Sequence, residues 1–123
     1  MKLLIVDDHT LFRDALVLYV KRANNNNKVV LAKDFYEAKD ILEDDTDFDL
    51  ILLDLQMPGM EDMAGFRYCQ KNCPEIKVAL MSGVAESEDV QKAMDMGAAG
   101  YFPKTMSGKA FLGAINVVLA GEK

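Results

Sequence analysis

The residues of this chain that could carry chemistry are acidic, and they stand directly after short apolar segments. Asp7 and Asp8 follow "LLIV", and Asp54 ends "LILLD". Two carboxylates ~4 Å apart repel by about 1 kcal/mol in water and by about 4 kcal/mol at an effective dielectric of ~20. Three carboxylates in one crevice therefore need a shared proton or a bound cation. Oxygen ligands suit Mg²⁺, which is usually held by one or two carboxylates together with phosphate oxygens.

Two more polar residues follow apolar segments in the same way. Ser82 comes after "VALM" and supplies a hydroxyl, and Lys104 lies just past "AGYF" and supplies a fixed positive charge. This set suits phosphoryl transfer, in which positioning and charge neutralisation provide most of the catalysis. A carboxylate can be the nucleophile and form an aspartyl-phosphate. Asp54 is the best candidate, because it ends the central apolar segment and a Pro-Gly turn follows it.

The apolar segments that position these residues are predicted to be strands. Several are nearly continuous apolar runs, which is typical of parallel strands covered by helices on both faces. The predicted strands are Lys2–Val6, Lys28–Lys33, Leu50–Asp54, Lys77–Ser82 and Ala99–Phe102.

Amphipathic segments between the strands predict helices. Asp34 and Glu37 form a capping pair for the second helix, and Gly97 and Gly121 are predicted left-handed residues at helix ends. The predicted helices are Leu11–Arg22, Asp34–Glu43, Met63–Asn72, Ser87–Met96 and Ser107–Ala120.

Strand and helix alternate five times, which predicts an α/β fold with a parallel sheet between two helical layers. The 123 residues fit one domain spanning 1–123. In such a sheet, ligands bind beyond the carboxyl ends of the strands. Asp7, Asp8, Asp54, Ser82 and Lys104 all belong to those ends.

Composition excludes some classes of binding partner and indicates the cellular compartment. The formal net charge of −6 argues against direct binding of nucleic acid or of an anionic membrane. The N-terminus lacks a signal-peptide pattern, and no apolar run is long enough to span a bilayer. Cys69 and Cys73 have no further Cys or His nearby to complete a zinc site, so we expect two reduced thiols and a cytoplasmic protein.

Four segments together resemble one family. "LLIVDDHTLFRDAL", "DLILLDLQMPGM", "VALMSG" and "MGAAGYFPK" are similar to the receiver (CheY-like) domain of two-component response regulators. The resemblance covers nearly the whole chain, and "DDH" with "LFR" is most similar to the NarL/LuxR type. It implies a flavodoxin-like, doubly wound (βα)5 fold with five parallel strands in the order 2-1-3-4-5.

The resemblance also implies roles for individual residues. Asp54 would accept the phosphoryl group. Mg²⁺ would be held by Asp7, Asp8, Asp54 and the backbone carbonyl of Gln56. Ser82 and Lys104 would bind the phosphoryl oxygens. Tyr101 would be the switch aromatic, which turns inward when Ser82 moves, and the output surface would span residues 88–119.

The implied activity is that of a signalling switch that catalyses only its own phosphorylation and dephosphorylation. The implied partners are a sensor histidine kinase and, on phosphorylation, a second copy of the chain. DNA would be reached only through a C-terminal output domain that this chain lacks, in a regulator of transcription. No membrane partner is implied.

Some positions depart from the family pattern. Pro103 precedes Lys104, where it fixes φ and removes a backbone donor, so the approach of Lys104 could differ. The family often has a proline after the lysine, where this chain has Thr105. Glu61 and Asp62 add acid near the third loop. His9 receives no catalytic role and is expected to be a loop or helix-start residue.

Three other functions stay open on the residues alone. A Mg²⁺-dependent phosphohydrolase would use the same nucleophile, but it usually has an acid at the position of Gln56. A nucleotide- or flavin-binding module needs a phosphate loop where this chain has "DDHT", which would repel phosphate. A receiver-like interaction module could act without phosphorylation.

Overall fold

Five strands and five helices alternate along the computed structural model, which describes residues 1–57, 60, 63–83 and 87–121. The strands are β1 Lys2–Val6, β2 Lys28–Ala32, β3 Leu50–Asp54, β4 Lys77–Ser82 and β5 Gly100–Pro103. The helices are α1 Thr10–Ala23, α2 Phe35–Asp44, α3 Ala64–Asn72, α4 Ser87–Asp95 and α5 Gly108–Leu119. The expected Pro-Gly turn at Pro58 and Gly59, and the acidic pair Glu61 and Asp62, lie outside the described residues.

All pairings in the sheet are parallel, and the strand order is β2-β1-β3-β4-β5. This confirms the doubly wound (βα)5 fold. The register pairs Val6 with Leu53 and Asp54 with Met81, so the carboxyl ends of β1, β3 and β4 lie at one edge. Every residue of β3 is buried, as expected for a central strand covered on both faces.

Alternate residues of each strand contribute to two separate cores. On β1, Leu3 and Ile5 belong to the cluster with α1 and α5, whereas Leu4 and Val6 belong to the cluster with α2, α3 and α4. This alternation follows from the period of two in a strand. It places two helices on one face of the sheet and three on the other.

Several element ends differ by one residue from the prediction. β2 ends at Ala32, and the backbone N–H of the next residue, Lys33, donates to the Glu37 carboxylate. β5 runs from Gly100 to Pro103 rather than from Ala99 to Phe102. Proline is tolerated there because β5 is an edge strand, where a missing backbone donor costs little.

The predicted helix ends are otherwise borne out by their hydrogen bonds and backbone angles. The Asp34 carboxylate accepts the Glu37 backbone N–H at 2.8 Å, which caps α2. Gly97 and Gly121 have φ values of 100° and 88°, in the left-handed region. Met63 is the residue before α3 rather than its first residue, with a φ of 58°.

Cys69 and Cys73 are both buried and free, as expected for reduced thiols. Burial raises the pKa of the Cys69 thiol to about 12. Within the described ranges, no helix is both long enough and apolar enough to cross a bilayer.

Candidate functional site

The sheet brings the predicted site residues together at its carboxyl edge. Asp7 follows β1, while Asp54 ends β3 and Ser82 ends β4. The side chains of Asp7 and Asp54 are fully buried, and Ser82 is 4% exposed. Asp8 is partly exposed, with 42% of its side chain accessible. The cluster is therefore a buried pair of carboxylates with a third carboxylate at the solvent boundary.

Lys104 provides the positive charge of this cluster. Its Nζ lies 2.8 Å from Asp54 Oδ2 and 2.8 Å from Asp7 Oδ2, and 9% of its side chain is exposed. The contact with Asp54 is a hydrogen bond, whereas the contact with Asp7 is an ion pair without hydrogen-bond alignment. One ammonium thus compensates two buried carboxylates.

Pro103 does not displace Lys104 from the cluster. The Lys104 backbone N–H donates to the Ser82 carbonyl at 3.0 Å, which continues the pairing of β5 with β4. The peptide bonds of the described residues are all trans. The Lys104 ammonium also lies 5.0 Å from the centre of the Phe12 ring on α1, within the range of a cation–π contact.

The loops fix the other oxygen of each buried carboxylate. Asp7 Oδ1 accepts the backbone N–H of His9 at 2.8 Å, and Asp54 Oδ1 accepts the backbone N–H of Gln56 at 2.9 Å. Both are local bonds to a residue two positions on, as in an Asx turn. The Oδ2 atoms are thereby left directed at the centre of the cluster.

The imidazole of His9 also reaches the cluster, which sequence reasoning missed. His9 is the N-cap residue of α1, as expected for a helix-start residue, but its side chain makes no capping bond. Its Nδ1 lies 2.8 Å from Lys104 Nζ and 3.3 to 3.6 Å from oxygens of Asp7, Asp8 and Asp54. The available signal was its position directly after the acidic pair.

Gln56 connects the loops after β3 and β4. Its side-chain Oε1 accepts the Gly83 backbone N–H at 3.3 Å, while its own backbone N–H donates to Asp54. Gln56 is exposed, so this contact lies at the rim of the cluster.

Three comparisons with known proteins add to this geometry. A family profile described as the response regulator receiver domain matches residues 3–116. The chain belongs to this family. The receiver domain is similar to the glycerol metabolism activator of Pseudomonas putida, with 33% identity over 121 residues that cover 98% of this chain and 55% of that protein.

Solved structures of response regulators are also similar to this chain. A LuxR family DNA-binding response regulator from Silicibacter pomeroyi has 33% identity and a TM-score of 0.85, over 99% of this chain and 93% of that one. The signal receiver domain of the putative response regulator NarL from Mycobacterium tuberculosis has 27% identity and a TM-score of 0.83, over 98% and 97% of the two chains. The relatives include regulators of transcription, and the receiver domain spans somewhat more than half the length of the curated proteins it matches.

Receiver domains bind Mg²⁺ at an acidic pocket, and the residues of this chain fit that ion. Asp7, Asp8, His9 and Asp54 each offer a ligand atom, and these atoms lie within 4.8 Å of one another. Three of the four are carboxylate oxygens, the hard donors that Mg²⁺ prefers.

Tyr101 lies outside this pocket. It pairs in register with Leu80 on β4, and it packs against the core cluster of α2, α3 and α4. Ser82 is two residues beyond Leu80, so Ser82 and Tyr101 are directed to the same face of the sheet. The Tyr101 hydroxyl is buried and has no hydrogen-bond partner among the described residues.

Proposed function

We propose that this receiver domain is a signalling switch that accepts a phosphoryl group on Asp54. The observation that carries the proposal is the state of the Asp54 carboxylate, which is fully buried at the end of the central strand with Oδ2 held 2.8 Å from Lys104 Nζ. A buried carboxylate with one oxygen held by its own loop and the other beside a cation is positioned to act as a nucleophile toward phosphorus.

In the proposed reaction, Asp54 Oδ2 forms a bond to phosphorus. The bond from phosphorus to the donor breaks, and the leaving nitrogen or oxygen keeps the electron pair. A leaving imidazole takes a proton from solvent, whereas the acetate of acetyl phosphate leaves as the carboxylate. Mg²⁺, held by Asp7, Asp8, Asp54 and the Gln56 carbonyl, would supply charge neutralisation on the phosphoryl oxygens. Hydrolysis of the aspartyl-phosphate later returns the carboxylate, so the domain acts only on its own phosphoryl group.

Lys104 and Ser82 would bind the product. The Lys104 ammonium pairs with Asp54 Oδ2 in the unmodified protein. Once a phosphoryl group is bonded to Oδ2, the same ammonium can pair with one of its oxygens. Ser82 ends the neighbouring strand, and its hydroxyl can donate to a second phosphoryl oxygen.

Tyr101 would pass the change to an output surface. Because Ser82 and Tyr101 are directed to the same face, movement of Ser82 toward the phosphoryl group changes the space available to the Tyr101 ring. The proposed output surface comprises α4, β5 and α5, within residues 88–119. The change is a population shift of a two-state element.

The proposed phosphodonor is a sensor histidine kinase or a small phosphate donor, and the proposed location is the cytoplasm. Relatives that are regulators of transcription support a role in a longer regulator that reaches DNA through another domain. Phosphorylation-linked association of two copies is a further part of the proposal.

The test is intact-mass measurement after incubation with acetyl phosphate and Mg²⁺. We expect one phosphoryl adduct on the wild-type chain and on the control variant Asp40→Asn, whose carboxylate is exposed on α2. We expect no adduct on Asp54→Asn or without Mg²⁺. A wild-type chain that gains no adduct, or an Asp54→Asn variant that keeps it, would overturn the proposal. Sustained turnover of a generic phosphate ester would instead favour a phosphohydrolase.

A further inference from the structure

We infer that His9 is a nitrogen ligand of the divalent cation in this pocket and biases its choice of metal. The inference rests on the proposed function for the presence of a metal. It concerns a residue to which the resemblance assigns no role.

The contacts of the Lys104 ammonium show which atoms of the pocket face a positive charge. Three acceptor atoms lie 2.8 Å from its Nζ: His9 Nδ1, Asp7 Oδ2 and Asp54 Oδ2. An ammonium can only donate, so in this contact His9 Nδ1 can only accept, which requires the tautomer with the ring proton on Nε2. The Nδ1 lone pair is therefore directed at the same point as the two buried carboxylate oxygens.

The His9 ring is placed by backbone contacts that do not depend on the ring. The His9 N–H donates to Asp7 Oδ1 at 2.8 Å, and its carbonyl accepts the Arg13 N–H at 3.0 Å. Because the side chain makes no capping bond to α1, the helix start does not require an imidazole. With 58% of the side chain exposed, the ring can adjust to a metal at the solvent boundary beside Asp8.

Distances between the acceptors also suit a shared cation. His9 Nδ1 lies 3.3 Å from Asp7 Oδ1, 3.5 Å from Asp54 Oδ2 and 3.6 Å from Asp8 Oδ1. None of these three contacts is a hydrogen bond, and their lengths suit atoms that surround one ion.

A nitrogen donor changes the preference of a carboxylate site. Mg²⁺ is a hard cation that takes oxygen ligands, whereas imidazole suits the transition metals, whose affinity rises from Mn²⁺ to Co²⁺ in the usual order. We expect His9 to strengthen binding of Co²⁺ and Mn²⁺ and to leave Mg²⁺ binding nearly unchanged. The pocket would then bind Co²⁺ more tightly than its oxygen ligands alone would allow.

The chain contains a single histidine, which makes the test direct. The probe is Mn²⁺ bound to the untagged chain, measured by electron spin echo envelope modulation. We expect the modulation of a directly bound imidazole nitrogen in the wild type and its loss in His9→Gln and His9→Ala.

Calorimetry gives a second readout. We expect His9→Ala to weaken Co²⁺ binding by roughly tenfold or more and to change Mg²⁺ binding by less than about twofold. Circular dichroism checks that each variant is folded, and the exposed variant Lys109→Ala should match the wild type for both metals.

The outcomes separate the two proposals. Metal binding without a nitrogen signal and with unchanged Co²⁺ affinity in His9→Ala would overturn the role of His9 alone, and Asp54 would still gain its adduct with Mg²⁺. Absence of any divalent metal binding would overturn both.

Discussion

In each of the two buried carboxylates, the two oxygens contact different partners. The Oδ1 atoms of Asp7 and Asp54 accept backbone N–H groups from their own loops, whereas the Oδ2 atoms contact Lys104. An asparagine at position 54 can still accept the Gln56 N–H through its amide oxygen. The loss of the phosphoryl adduct expected for Asp54→Asn can therefore be assigned to the missing nucleophile rather than to a changed loop.

The residue types of the site could be predicted from the sequence, but their side-chain directions could not. Carboxylates at the ends of apolar segments are visible in a sequence, since parallel strands bring those ends together. The imidazole of His9 could turn either to solvent or to the pocket. That choice depends on Lys104, which is 95 residues away and joins the cluster only in the folded chain.

Cys69 should make the protein sensitive to high pH. Burial raises the pKa of this thiol to about 12, whereas a cysteine in an unfolded chain has a pKa of about 8.5. Below about pH 8.5 the thiol is protonated in both states, so it has no effect. Between about pH 8.5 and 12 only the unfolded state loses the proton, which lowers the free energy of unfolding by about 1.4 kcal/mol per pH unit.

Urea unfolding of the wild type and Cys69→Ala, with reductant present, measures this effect. Cys69→Ala costs stability at neutral pH, because it leaves a cavity. The difference in the free energy of unfolding between the two proteins should shrink steadily above about pH 8.5. A difference that stays constant up to pH 11 would contradict the assignment.

At the scale of elements, strands were more predictable than their ends. The central segments are apolar throughout, so both of their faces must be buried. Three strands, β1, β3 and β4, match their predicted bounds. Just beyond the end of β2, the Glu37 side chain of α2 accepts the Lys33 backbone N–H. Contacts of that kind arise from the packed helix and leave no periodic pattern in the strand itself.

Two glycines in helices should respond to the same substitution with opposite signs. A Cβ at Gly65 in α3 would lie 2.3 Å from Met60 Sδ and 2.7 Å from Phe35 Cδ1, and both neighbours are buried. Overpacking of this kind costs about 1–3 kcal/mol. We expect Gly65→Ala to lower the free energy of unfolding by that amount.

Gly113 in α5 is the matched control. A Cβ there meets no atom within 4 Å, and the residue is exposed. Alanine should then stabilise the helix by about 0.5–1 kcal/mol, because the unfolded chain loses conformational freedom. Urea denaturation of both variants checks the pair. Equal effects at the two positions would show that the packing of α3 against α2 does not restrict Gly65.

The whole molecule concentrates negative charge at one edge of its sheet. Three carboxylates from the β1 and β3 ends meet there in a chain that already has a net charge of −6. Among the described residues, the cation that contacts the two buried carboxylates, Asp7 and Asp54, is Lys104 from the loop after β5. One side chain thus joins the ends of three strands, and metal-free stability depends on it.

Lys104→Ala should therefore destabilise the metal-free protein far more than a surface substitution. Removing one partner of a buried ion pair typically costs about 3–5 kcal/mol, because the remaining charge stays buried and unpaired. The exposed Lys109→Ala is the matched control and should change the free energy of unfolding by less than about 0.5 kcal/mol. Urea denaturation in a metal chelator measures both.

A second substitution and added Mg²⁺ test why Lys104→Ala loses stability. In the Lys104→Ala background, Asp54→Asn should recover part of the lost stability, because it removes one of the two uncompensated carboxylates. Mg²⁺ should raise the free energy of unfolding of Lys104→Ala by more than that of the wild type, because the ion no longer competes with an ammonium for the same oxygens. If Asp54→Asn and Mg²⁺ both leave Lys104→Ala unchanged, its loss of stability comes from lost packing against Phe12 rather than from charge.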